Sequence, residues 1–318
     1  TLAELGLLET VKKAYPNLYI CRTTIEAIKR LIAEKHYEAK KGGATVAPTE
    51  TGVALNTFTA EAVQSFLDKL TKIIEWLEEN CAIAIPTLKL KPEGEKFNQL
   101  ESLVGASAAD SIISAASNDL ILVSDDLLLR QVASEIGNIK GVWSQIILIR
   151  LLDRKLIVVN EYHAAINWLL QAGYEHTTFN KYTIYWCIQN DDWRVTPTLE
   201  RLFERLMAPN TDLLISLRIA IEFLIDLWES DLDFYTKRRI SYALFNAAFA
   251  VPEKGWEALR AIWSLWRGSM VVRGIDIDDV IRDWTTGHFM WSAKGASAEA
   301  AKKSGKRSKK QAKRAMKV

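Results

Sequence analysis

The stretch from Gly105 to Arg130, GASAADSIISAASNDLILVSDDLLLR, constrains the fold of this chain more than any other. At its centre is a short apolar run, Leu120-Ile121-Leu122-Val123, preceded by the turn formers Ser117-Asn118-Asp119 and followed by Ser124-Asp125-Asp126. A run this short, partly β-branched and bounded by turn residues, predicts a buried strand of a parallel sheet rather than a helical segment. Before it, Ser107 opens a helix with Asp110 in its first turns; after it, Leu127, Leu129, Arg130, Val132 and Ala133 predict the next helix. In parallel α/β sheets functional groups collect outside the carboxyl ends of the strands, where loops meet helix N-termini. Asp125 and Asp126 stand at such an end, and Asp110 lies one crossover away.

The same alternation runs along the first half of the chain. Leucines and charges from Thr1 to Ala14 predict an amphipathic helix, Leu18 to Cys21 a strand, and Thr23-Thr24-Ile25-Glu26 the start of another helix. Here too a strand delivers an acid, Glu26, to a helix start. Lys41 to Asn56 is polar and turn-rich and predicts a loop. Thr59 caps a helix reaching Glu79, Cys81 to Ile85 predicts a strand, Phe97 to Val104 a short helix, and Ile139 to Trp143 a last short strand. Helices and strands in this order are those of βαβ units, so residues 1–143 are expected to be an α/β domain, a parallel sheet flanked by helices.

From Ser144 the pattern is all-helical. Segments from Ser144 to Leu152, Tyr162 to Ala172, Pro197 to Met207, Asp212 to Trp228, Phe234 to Phe249, Gly255 to Trp266 and Ile275 to Trp284 suit helices, which predicts an all-α domain over residues 144–291. Ten of the 11 tryptophans lie from Trp143 onward, and the helical spacing of Trp263 and Trp266 points to a core. Residues 292–318 are mostly Ala, Lys, Ser and Gly, a composition expected to be a disordered basic tail.

Composition excludes several functions. No run of 18 apolar residues free of charge occurs, and no basic segment leads into a cleavage site, so a membrane span and a signal peptide are not expected and the cytoplasm is the default compartment. Cys21, Cys81 and Cys187 are widely spaced, and His36, His163, His176 and His288 are scattered, which argues against zinc, a disulfide framework or a Ser-His-Asp triad. An apolar strand ending in two acids also suits a nucleotide-hydrolysing fold, but the GxxxxGK[ST] loop is absent, so no nucleotide cofactor is expected. The tail carries a charge of +9, which leaves −7 on the rest of the chain. The body therefore repels nucleic acid except where bases are concentrated locally, and Lys302 to Arg314 is the candidate for holding RNA phosphates, with simple solubilisation as the alternative.

Carboxylates at three strand ends would meet in one pocket if the strands are parallel neighbours. Hard divalent cations take oxygen ligands, and Mg²⁺ is held by a few carboxylates while it keeps waters and substrate phosphate oxygens. The competing explanation is local. Thr23-x-x-Glu26 and Ser107-x-x-Asp110 both match a capping box, and Asp125 and Asp126 suit a helix N-terminus by dipole alone.

Glu26, then ADSIISAA with Asp110, then ILVSDD with Asp126, on an α/β layout, together resemble the PIN domain, a family of metal-dependent ribonucleases. The resemblance is in particular to bacterial PIN domains associated with TPR and GreA/GreB C-terminal-like systems, in which a helical region follows, and it covers Thr1 to about Trp143. The family pattern of an apolar strand, a small hydroxyl residue and an Asp two positions on is matched by Val123, Ser124 and Asp126. The resemblance implies that Glu26, Asp110 and Asp126 ligate Mg²⁺ or Mn²⁺ and that Ser124 supports the site through its hydroxyl, with Asp125 as an extra acid. PIN domains begin with a strand ending in an Asp just before the first helix. Here the chain starts inside that helix, so the first strand and its Asp are expected upstream of Thr1; Glu4 and Glu9 lie on the helix and are badly placed to substitute. Two functions follow from the resemblance: an endoribonuclease using a metal-bound water, or a catalytically silent PIN-like scaffold binding RNA or a partner protein through its Trp-rich helices.

Overall fold

The computed structural model describes residues 1–288 other than 41, 50–51, 86–93, 175–176, 252–253 and 273–276. The basic tail, the connector after Ile85 and His176 lie outside the described residues. The chain divides into two compact units, Thr1–Ala165 and Ile166–Val318, and the division falls inside helix α8, Val159–Gln171.

In the first unit, β1 (Tyr19–Cys21) pairs in parallel with β4 (Ala82–Ala84), Ile20 opposite Ile83. A second parallel pair joins β5 (Leu122–Val123) to β6 (Gly141–Val142). The helices between them are α2 (Arg22–Ala39), α3 (Ala60–Asn80), α4 (Gly94–Val104), α5 (Ala106–Ser117) and α6 (Leu127–Gly137). Parallel strands need crossover connections of this kind, which is why each short apolar run is followed by a helix. Helix α5 positions everything else. It is buried through Ala109, Ile112, Ile113 and Ala115, packs with Leu122 of β5, Val132 and Ala133 of α6 and Ile139, and touches β1 as well. The Cys21 thiol donates to Ser114 Oγ at 3.3 Å, tying the end of β1 to the same helix.

Three local expectations are corrected. The segment expected to be a loop from Lys41 to Asn56 contains an antiparallel hairpin, β2 (Gly43–Thr49) with β3 (Gly52–Phe58), Val46 opposite Leu55. Its residues are small or β-branched and interrupted by Pro48, so the alternation of large apolar side chains that marks a strand is weak. The first helix is α1 (Leu8–Ala14), preceded by turns over residues 2–6 rather than starting at Thr1. Helix α5 is entered through Gly105 at φ 82°, with no side-chain cap, so Ser107 lies inside the helix and the Ser107–Asp110 capping box is not formed.

The second unit is all-helical among its described residues. It contains α9 (Lys181–Asn190), which the sequence did not single out, then α10 (Pro197–Leu206), α11 (Leu213–Glu229), α12 (Phe234–Phe249), α13 (Gly255–Val272) and a helix over 278–288. Four of these start at side-chain caps: Asn180, Thr196 with Pro197 behind it, Asp212 and Asp233 each accept from backbone N–H groups of the first turn. Trp228, Trp266 and Trp284 are in the core and Trp263 packs against it, as helical spacing predicts, whereas Trp256 is exposed. Phe245 of α12 sits among Trp263, Trp266 and Trp284, with ring centroids 5.8–6.0 Å apart. Trp266, Phe203, Phe223 and Phe245 are fully buried.

Candidate functional site at the carboxyl end of β5

Ser124-Asp125-Asp126 forms the loop between β5 and α6. The strand continues into it, because Leu122 N–H donates to Lys140 O and Ser124 N–H to Val142 O, both at 2.9 Å. Asp126 is extended and becomes the cap of α6: its Oδ1 accepts from Leu129 N–H at 3.2 Å, and its own N–H donates to Ser124 Oγ at 3.1 Å. Its carboxylate remains exposed.

Asp125 has a different environment. One oxygen accepts from Ser144 N–H at 2.8 Å, and the other accepts from the Ser144 hydroxyl at 2.8 Å and the Thr1 hydroxyl at 2.7 Å. Ser144 opens α7 (Ser144–Asp153), so Asp125 ties the end of β5 to the start of α7 and to the first residue of the chain. The extra acid is thus occupied by structural hydrogen bonds. Neither Ser144 nor Thr1 stood out in the sequence, where a hydroxyl next to a distant strand end leaves no mark.

Glu26 and Asp110 lie on α2 and α5, two helices that meet at their first turns. Thr24 and Ser107 join the first turns of α2 and α5 through their hydroxyls, 3.0 Å apart. Helix α2 begins at Arg22, so Thr23 is inside it and does not cap it; its hydroxyl is buried with no partner. Glu26 is exposed and Asp110 half-buried. No hydrogen bond or ion pair joins either carboxylate to a described residue, so neither serves the helix-capping role that its spacing suggested.

The acids do not close into a cage. Among the described residues, no three His, Cys, Asp or Glu side chains are grouped so that they could hold a metal ion. The described carboxylates therefore do not by themselves fit a Mg²⁺ or Mn²⁺ site. Sequence reasoning also missed Arg130, whose Nη1 donates to Ser124 O at 2.6 Å directly below the acids.

No helix among the described residues is long and apolar enough to cross a membrane. A family model described as the PIN domain associated with the TPR-GreAB-C-PIN system matches residues 1–135. No curated protein and no solved structure matches the chain. The matched span holds Glu26, Asp110 and Asp126 and the strand–acid–helix order described above, so residues 1–135 of this chain are similar to the PIN domain family.

Proposed function

We propose that the first unit is a PIN-type endoribonuclease module that cleaves RNA phosphodiester bonds with Mg²⁺ or Mn²⁺, and that Glu26, Asp110 and Asp126 are its contribution to the metal site. The observation that carries this reading is the state of two carboxylates. Glu26 and Asp110 sit on adjoining helix starts without a described protein partner, and the local explanation for both, a capping box, has failed. Carboxylates without a protein partner are what hard cations require. No three described acids are grouped to hold an ion, so the metal part of this reading rests on the family match rather than on the geometry. The helical second unit and the basic tail are the parts available for holding RNA or a protein partner.

The test uses single-stranded RNA and Mn²⁺. The wild type and its Asp126→Asn variant are compared. Cleavage is expected in the wild type and a loss of two orders of magnitude or more in the Asn variant, about what removing one essential catalytic group costs. A wild type that cuts no better than its Asn variant overturns the nuclease reading.

The second reading is a catalytically silent scaffold that binds RNA or protein. It is favoured by the occupation of Asp125 and of one Asp126 oxygen in hydrogen bonds that hold the fold together. RNA retention without cleavage in every form would select it.

A further inference from the structure

Arg130 lies on α6 one turn after Asp126 and is only 8% exposed. Its guanidinium donates from Nη1 to Ser124 O at 2.6 Å, and its central carbon stands 5.0 Å from the centroid of the Trp143 ring. Space for the side chain is made by Gly141 of β6, where a Cβ would lie 2.9 Å from Arg130 Cγ and 3.1 Å from Cδ. A charged group is buried here at a cost that only hydrogen bonding offsets. The acceptor it has found is the carbonyl at the base of the acidic loop.

We propose that Arg130 is a positioning residue that sets the direction in which the Ser124–Asp126 loop presents the Asp126 carboxylate. The proposal rests on the reading that this loop belongs to the site described above. The loop is held at two points, on the two residues that precede the exposed acid. Ser124 O is fixed by a charge-assisted hydrogen bond from a rigid guanidinium, and the Asp125 carboxylate is fixed by Ser144. Asp126 follows both and caps α6, so its backbone is set by the loop before it and the helix after it. A lysine keeps the charge of Arg130 but lacks the planar fork that bonds the carbonyl and lies on the indole together.

The experiment measures the loop itself in the full chain. Amide hydrogen exchange is recorded for residues 124–129 together with the carboxyl ¹³C signal of Asp126, in the wild type, Arg130→Met and Arg130→Lys. In the Met variant the loop amides are expected to exchange about tenfold faster or more, the loss expected for a hydrogen bond to a charged donor. The Asp126 signal should move with them, while amides of α11 and α12 keep their rates. The Lys variant is expected to show a smaller change in the same direction. Unchanged loop amides and an unmoved Asp126 signal in either variant overturn the proposal, so it stays testable should the Met form fail to fold. Uniform acceleration across residues 1–165 with the Asp126 signal unmoved also overturns it, since that is the behaviour of a packing residue. Absence of nuclease activity leaves this measurement intact, whereas a rigid loop in Arg130→Met beside an active wild type removes the role of Arg130 and leaves the nuclease reading standing.

Discussion

A carboxylate with three donors is a structural fixture whatever else its neighbours do. Asp125 receives Ser144 N–H, Ser144 Oγ and Thr1 Oγ1, so Asp125→Ala leaves those donors without their charged acceptor. The expected loss is about 2 kcal/mol of stability in the first unit, read by urea denaturation, since hydrogen bonds to charged groups contribute roughly 1.5–3 kcal/mol. Asp126→Asn, which keeps an oxygen for the α6 cap, is expected to be nearly silent in the same assay. The two adjacent acids are thereby separable, one by stability and the other by function. A second residue sets a pH dependence. Burial holds the His163 imidazole below its ordinary value of 6.5, so the unfolded chain takes up a proton more readily than the folded one. The stability that follows is present above pH 6.5 and is lost as pH falls through the lower folded value. Thermal unfolding followed from pH 7.5 to 5 should show this acid limb, and His163→Leu should flatten it. The Cys187 thiol is pushed up to about 12 by burial, with Asp191 adding to it, which keeps it out of thiolate chemistry.

Elements were legible in the sequence wherever one face carried large apolar side chains. The strand before Asp125 and the helices after it follow from Leu120 to Val123 and from the leucines beyond, because a short β-branched run and a 3.6-residue period are distinct signals. The hairpin β2–β3 was not legible, since Ala, Thr, Gly and Pro dominate it and backbone pairing does not depend on side-chain size. The starts of α2 and α5 were misjudged for another reason. A Thr or Ser three residues before an acid is compatible with a cap, yet here Ser107 pairs with the Thr24 hydroxyl and the Thr23 hydroxyl is buried without a partner, which only tertiary placement reveals. Contacts such as Asp125–Ser144 and Arg130–Ser124 depend on the fold in the same way. In the second unit the helical pattern predicts its own energetics. Phe245 fills the centre of α12's contact with Trp263, Trp266 and Trp284, so Phe245→Ala should cost about 3–5 kcal/mol, seen as a large fall in the unfolding temperature of that unit.

At the scale of the molecule, the pattern changes after Trp143, while the compact units divide between Ala165 and Ile166. The parallel strands of the first unit occur as two separate pairs, β1 with β4 and β5 with β6. In β5 the N–H groups of Leu122 and Ser124 are committed to the β6 side, and strand alternation turns that of Val123 the other way. Ile121 is 59% exposed and Val123 54%, beside a backbone row of that kind. A strand in this condition is a template for other chains, and natural proteins guard such templates with charge. The run itself, Ile121, Leu122 and Val123, carries no charge, and the acids that flank it are Asp119 and Asp125-Asp126. Concentrated solutions should therefore self-associate through β5, and Val123→Lys should shift sedimentation toward the monomer without lowering the unfolding temperature. The two short strand pairs thus make solubility, rather than intrinsic stability, the property that limits how this protein can be handled at high concentration.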